Sequence, residues 1–331
     1  HQWVLFFSSG GKVFREKVWR LPEAGPGAKG RALVNLLPEL GADGVTAVLP
    51  LPQDEALWDS LHLVFATASG NVRRNRLSDF RNVRASGLIA MKLDAGDRLI
   101  GVATCSGAKD VLLASRLGRC VRFPITDETL RVFAGRESAG VRGIRLAEGD
   151  EVMSLSVLRH VEVENEERAA YLRMAGARRR GGAAEGEEET GETAAVGGPA
   201  EEQEAEITLS SERFAELAAA EEFLLTVTDG GFGKRSSAYE YRATGRGGQG
   251  IVNIALSERS GRAVVASFPV REGEDVMLVT DAGRLIRVPA DQVRITGRAA
   301  MGVRLFRLEN GERVTSVFPV VESGGDETGN S

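Results

Sequence analysis

Across 331 residues, 42% are hydrophobic, 40 are glycine and only 6% are aromatic, which describes a folded chain rich in tight turns. No apolar run nears the ~20 residues that span a bilayer, no secretory signal opens the chain, and two cysteines with three histidines give neither a disulfide framework nor a zinc quartet. The net charge of −5 is divided unevenly: residues 160–222 carry −11 and residues 322–331 carry −3, so the other 258 residues carry +9 and call for an anionic partner.

The opening His1 in place of Met reads as the start of a piece of a longer cytoplasmic protein, with no metal site and no catalytic machinery. The first repeat follows at once. An apolar run (VLFF) leads to a turn glycine in GKVFR at Gly11, then to GRALVNL at Gly30 and VTAV at 45–48. The second has LVFAT, GNVRR at Gly70, GLIAMKL at Gly87 and LIGV at 99–102. The third has VLLA, GRCVR at Gly118, GVRGIRL at Gly140 and VMSL at 152–155. Residues 160–222 break the pattern. Their centre, GARRRGGAAEGEEETGETAAVGGPAEEQEAE, has almost no large apolar residue and cannot offset its ordering entropy. Its flanks favour helix, with Ser210 or Ser211 as a cap for the second. The expectation is two helices around a disordered acidic loop, with Arg178, Arg179 and Arg180 solvated or paired to glutamates. The fourth repeat has FLLTV, GFGKR at Gly231, GIVNIAL at Gly250 and AVVA at 263–266. The fifth has VMLVT, GRLIR at Gly283, GVRLFRL at Gly302 and VTSV at 314–317, and an acidic tail predicted to be disordered follows from Glu322.

Each period holds about four short strands between Gly, Asp and Pro turns, which predicts an all-β, propeller-like ring whose blades must stack to bury both faces. The predicted blades are 3–53, 61–105, 106–159, 223–270 and 271–321. Residues 160–222 form an acidic low-complexity insertion and 322–331 a disordered tail. Asp97, Asp150 and Asp275 precede strands, where turn formation accounts for them.

LFFSSGGKVFREKVWRLPEA with GRALVNLLP, VFATASGNVRRNRLSDF, GVRGIRLAEGDEV, TDGGFGKRSSAYEY and VTDAGRLIRVP resemble the C-terminal domain of bacterial DNA gyrase A. The resemblance implies a β-pinwheel, a disc whose blades exchange strands. It also implies a basic rim that binds and bends duplex DNA in a handed wrap, so that ATP-driven strand passage introduces negative supercoils. On that footing the partners are double-stranded DNA, the remainder of the gyrase A polypeptide and the gyrase B polypeptide, at the nucleoid in the cytoplasm and with no membrane. ATP and Mg2+ act elsewhere in the parent enzyme, leaving this chain no cofactor and no catalytic residue. The family usually has six blades, against five cycles here. Its Gln-Arg-Arg-Gly-Gly box belongs to the first blade and none precedes Trp3, so the chain is expected to begin just after it. TGRGGQG at 244–250 has similar composition but stands where the ordinary second glycine belongs. Tyr239 and Tyr241 lie in a repeat strand and have no claim to the family's catalytic role.

Recurring cations are the candidate phosphate contacts, because Lys and Arg on phosphates dominate non-specific affinity. After the turn glycine stand Lys12 and Arg15, Arg73 and Arg74, Arg119 and Arg122, Lys234 and Arg235, and Arg284 and Arg287. Before the second glycine stand Lys29, Arg84, Arg136, Arg246 and Arg298. Val13 and Arg15 share strand parity, so the fourth-position arginines can equally lay their stems on the core. Arg142, Arg145 and Arg304 are interleaved with core residues and make weaker candidates. Two rival readings remain: the C-terminal domain of topoisomerase IV, which selects DNA geometry without wrapping, and a protein-interaction propeller, against which the +9 body argues. A propeller enzyme lacks the convergent carboxylates or histidines it needs.

Overall fold

The computed structural model describes residues 2–23, 31–182 and 208–320. The chain divides into two compact units, one running to His160 and resuming at Glu222, the other Val161–Glu221.

The larger unit is built from β-hairpins. Its strands are β1 (Trp3–Ser8), β2 (Lys12–Lys17) and β3 (Val45–Pro50); β4 (His62–Thr67), β5 (Asn71–Arg76), β6 (Leu88–Ile89) and β7 (Leu99–Cys105); and β8 (Lys109–Ser115), β9 (Arg119–Pro124), β10 (Val141–Arg142) and β11 (Val152–Arg159). They continue with β12 (Phe223–Thr228), β13 (Phe232–Ser237), β14 (Ile251–Val252) and β15 (Val264–Val270), then β16 (Asp275–Thr280), β17 (Leu285–Pro289), β18 (Val303–Arg304) and β19 (Val314–Val320).

Each of the first four sheets takes three strands from its own repeat and a short fourth from a later one. The orders are β3-β1-β2-β6, β10-β5-β4-β7, β11-β8-β9-β14 and β15-β12-β13-β18, all antiparallel, and the last sheet is β17-β16-β19. The exchange expected from the family resemblance is therefore present four times, and among the described residues no strand pairs with the outer edge of β17. In the first repeat, the segment that corresponds to the exchanged strands instead forms a four-residue helix, α1 (Leu33–Leu36).

Burial on both faces explains why the first hairpin strand of each repeat reads as an unbroken apolar run. Side chains alternate across a strand. In β4, Leu63 and Phe65 join Leu5 and Phe7 of the first sheet, while Val64 and Ala66 join Val111 and Leu113 of the third. In β8, Leu112 and Ala114 turn the other way, toward Leu224 and Tyr241. The Phe7, Phe65 and Phe80 rings meet at centroid distances of 5.7–6.1 Å. Most of the core thus lies in the junctions between sheets, while Val4, Phe6, Phe14, Leu37 and Leu40 form a further cluster within the first repeat.

Second glycines set the exchange. Gly140 and Gly250 have φ of 80° and 69°. A Cβ on either would come 2.2 Å from the carbonyl oxygen of Val72 or Cys120 on the receiving strand. Only glycine gives both the left-handed backbone and the close approach. Asp97 and Asp150 accept backbone N–H groups of Ser69 and Leu117 across turns, while Asp275 pairs with Arg287.

The smaller unit contains α2 (Asn165–Gly182) and α3 (Ser211–Ala220), with Ser210 as the α3 cap accepting from the Arg213 N–H. Tyr171 Oη donates to Glu221 at 2.7 Å, Arg179 pairs with Glu221 at 2.8 Å, and Arg178 lies 3.8 Å over the Phe214 ring. The acidic stretch between the helices and the tail from Glu322 lie outside the described residues. No described helix is long and apolar enough to cross a membrane.

Candidate nucleic-acid interface

Strands β3, β7, β11, β15 and β19 pack successively against one another. They form the inner edge of the sheets, which puts the exchanged strands on the opposite, outer edge. The sequence-selected cations fall into four groups against this frame.

The fourth-position arginines join sheets. Arg15 donates to the Arg81 carbonyl, and its guanidinium lies 4.1 Å from the centre of the Trp3 ring. Arg74 donates to the Leu130 carbonyl at 3.3 Å and pairs with Asp127. Arg235 donates to the Val293 carbonyl at 2.8 Å and pairs with Asp291. Arg122, 7% exposed, holds Asp110 at 2.7 Å, the Ala238 carbonyl at 2.7 Å and the Arg159 carbonyl at 3.0 Å. In each case the carbonyl accepting across the junction lies on the turn that follows the hairpin of the next repeat. Arg287, in the last sheet, pairs with Asp275 of its own hairpin.

Arg73 and Lys234 occupy the next position inward and are fully buried. Arg73 donates to the carbonyls of Gly135, Arg136 and Ser138 and to Asn75. Burial, with Arg136 nearby, lowers its pKa to about 10. Lys234 donates to the carbonyls of Asn253 and Gly297 at 3.0 Å and to that of Arg298. Burial lowers its pKa to about 7.

The cations before the second glycine reach back to the preceding repeat. Arg136 donates to the Asp79 carbonyl at 3.1 Å, Arg246 to those of Thr129 and Arg142, and Arg298 to those of Glu240 and Val252. Arg84 is exposed. Lys29 lies outside the described residues.

First-position cations lie at the outer edge. Lys12 is exposed; Arg119 is half-buried and donates to the Gly250 carbonyl at 2.8 Å; Arg284 pairs with Glu312, whose pKa it holds down at about 2 with help from Thr280. Arg142, Arg145 and Arg304 are exposed at or just after the exchanged strands, and so are Lys92 and Arg307, which the sequence columns did not select. The signal for those two was available: both stand five residues after a second glycine, in the register of Arg145.

The arrangement presents positive charge and hydrogen-bond donors and little else. Among the described residues no three His, Cys, Asp or Glu side chains gather as metal ligands. Cys105 and Cys120 are buried and unbridged, and burial pushes the Cys120 thiol up to about 12.

Comparison with known proteins agrees with this geometry. The family model described as "DNA gyrase C-terminal domain, beta-propeller" matches residues 2–55, 61–106, 109–159, 222–266 and 274–320. The DNA gyrase A protein of Granulibacter bethesdensis is 72% identical over 328 residues, covering 98% of this chain and 34% of that protein. The chain therefore spans about a third of the length of that curated relative. Among solved structures, a DNA gyrase A C-terminal domain superposes with a TM-score of 0.65 at 20% identity, over 97% of this chain and 83% of that one. The C-terminal domain of a DNA topoisomerase IV superposes with a TM-score of 0.69 at 17% identity, over 96% and 79%.

Proposed function

Since the chain belongs to the family of DNA gyrase C-terminal domains, we propose that its five-sheet unit binds duplex DNA along the outer edge and bends it into a handed wrap. One observation carries the proposal: Lys12, Arg84, Lys92, Arg142, Arg145 and Arg304 are exposed on that edge or its flanking loops, with no carboxylate partner among the described residues. Cations so placed neutralise phosphates and release counterions without reading bases. Preference among sequences then follows DNA deformability. The topoisomerase IV alternative rests on a likeness of fold, whereas the 72% relative is a DNA gyrase A protein.

In the parent enzyme, built from the gyrase A and gyrase B polypeptides, the wrap presents a DNA segment for passage, so that ATP-driven strand passage introduces negative supercoils. This chain contributes binding and geometry, not catalysis. ATP and Mg2+ act in other parts of that enzyme, which works in the cytoplasm on nucleoid DNA. The body divides into five blades interrupted by the insertion at 160–222 and followed by the tail.

Titration of a mixed-sequence duplex tests the binding step. Six or more phosphate contacts predict a loss of affinity of about 10³-fold or more between about 50 and 200 mM salt. Binding that ignores salt, or none at low salt, would contradict the proposal.

A further inference from the structure

The exchanged strands meet their receiving strands in a fixed register, and that register distributes charge. Lys12 pairs with Ile89, Asn71 with Arg142, Arg119 with Val252 and Phe232 with Arg304. Each of these four rungs holds one cation and one uncharged residue. The cation sits on the receiving hairpin in the first and third sheets and on the incoming strand in the second and fourth. None of these four rungs has two cations, which would repel across the strands, whereas the neighbouring rungs Val13–Leu88, Val72–Val141, Cys120–Ile251 and Gly233–Val303 have no charge. A column drawn through either strand alone therefore shows a cation in only alternate sheets.

We propose that these rungs are the DNA-contacting positions of the outer edge, each a phosphate site completed only when one repeat lends its strand to another. This rests on the DNA-binding reading above and assigns the residues that perform it. Lys12, Arg142 and Arg304 are exposed and make no side-chain hydrogen bond or ion pair among the described residues. The Arg304 guanidinium lies 5.4 Å from the centre of the Phe232 ring, its own rung partner, a contact that leaves its charge unpaired by any carboxylate among the described residues. Arg119 rests on the Gly250 carbonyl of the strand it receives. These side chains contrast with Arg73, Arg122 and Lys234, which are buried and bonded to carbonyls. Rung charge is thus spaced once in each of the four sheets that receive a strand, a regular spacing of the kind a smoothly bent duplex requires. Lys92, Arg145 and Arg307, three residues beyond the rung position on the exchanged segment, add a second exposed cation in the first, second and fourth sheets.

Salt-dependent duplex binding by the whole chain tests the assignment through a transposition. Removing all four rung cations (Lys12→Ala, Arg119→Ala, Arg142→Ala, Arg304→Ala) lowers the slope of log affinity against log salt by about 3.6, at about 0.9 per phosphate contact. Moving a cation across its rung, Asn71→Arg with Arg142→Asn or Lys12→Ile with Ile89→Lys, retains the slope of the unaltered chain, whereas Arg142→Asn or Lys12→Ile alone lowers it by about 0.9. Thermal melting checks that every variant folds. If the unaltered chain binds and the fourfold variant keeps its slope, or if transposition fails to restore it, the rung assignment is overturned while the DNA-binding reading stands. Failure of the unaltered chain to bind at low salt overturns both.

Discussion

Lys234 occupies the position that Arg73 holds two sheets earlier, and both answer the same problem. The loops before the incoming strands β10 and β18 turn carbonyls into the junction, and a buried cation below gathers them. Phe14, Val121 and Ile286 fill this position elsewhere. Sequence parity therefore made the buried and exposed cations look alike; what separates them is a set of carbonyls contributed from far along the chain, as with Gly297, 63 residues from Lys234. The lowered pKa of Lys234 has a definite consequence for stability. Its folded value of about 7 lies below the ordinary 10.5, chiefly through burial. Between those values the unfolded chain holds a proton that the folded chain gives up, so stability rises with pH across the window. Below about pH 7 both states are protonated and the dependence ends. Urea unfolding of the unaltered chain and Lys234→Met is expected to show their stability difference moving in favour of lysine as pH rises from about 7 to about 10. A difference that is constant or falls over that range would contradict this role.

Exchanged strands are the elements least visible in the sequence. The hairpins, with their glycine turns, and the inner strands follow from local patterns, and the structure has them in all five repeats. The exchanged strands are two residues each and pair with a hairpin 69 to 133 positions away, from Val72 with Val141 to Arg119 with Val252. No periodicity reports a partner at that distance. The segment GRALVNL makes the same point from the other side: it carries the motif but has no receiving strand among the described residues, and it coils into α1 with Leu33 and Val34 exposed. Local sequence permits either state, and pairing decides. The glycine that opens each exchanged strand should be correspondingly intolerant. Gly250→Ala places a methyl carbon against the Cys120 carbonyl in a left-handed backbone, whereas Gly283→Ala meets open space at φ of 80°. The first should cost more than about 3 kcal/mol and speed amide exchange in β9; the second should cost about 1–2 kcal/mol. Equal losses would show that strand approach is not what Gly250 serves.

At the scale of the whole molecule, charge and apolar residues are sorted by edge and junction. The segregation of +9 from the acidic segments was legible from composition, and it pointed to an anionic partner of the kind proposed above before any fold was known. What composition could not give was the division of labour among the cations, because joining sheets and meeting phosphate use the same residue types. Arg74, Arg122 and Arg235 tie successive sheets together, and the outer rungs leave one cation free to face outward in most sheets. On the proposal made above, sheets tied by these repeated hydrogen bonds hold the outer-edge cations in a fixed series, and DNA following that series would acquire a handed path. The most direct measurement binds the chain to nicked circular DNA, seals the nick with ligase, strips the protein and resolves the topoisomers. The account predicts a linking-number shift of one sign that grows with protein and fades as salt rises. Binding that leaves the topoisomer distribution centred where it is without protein would contradict it.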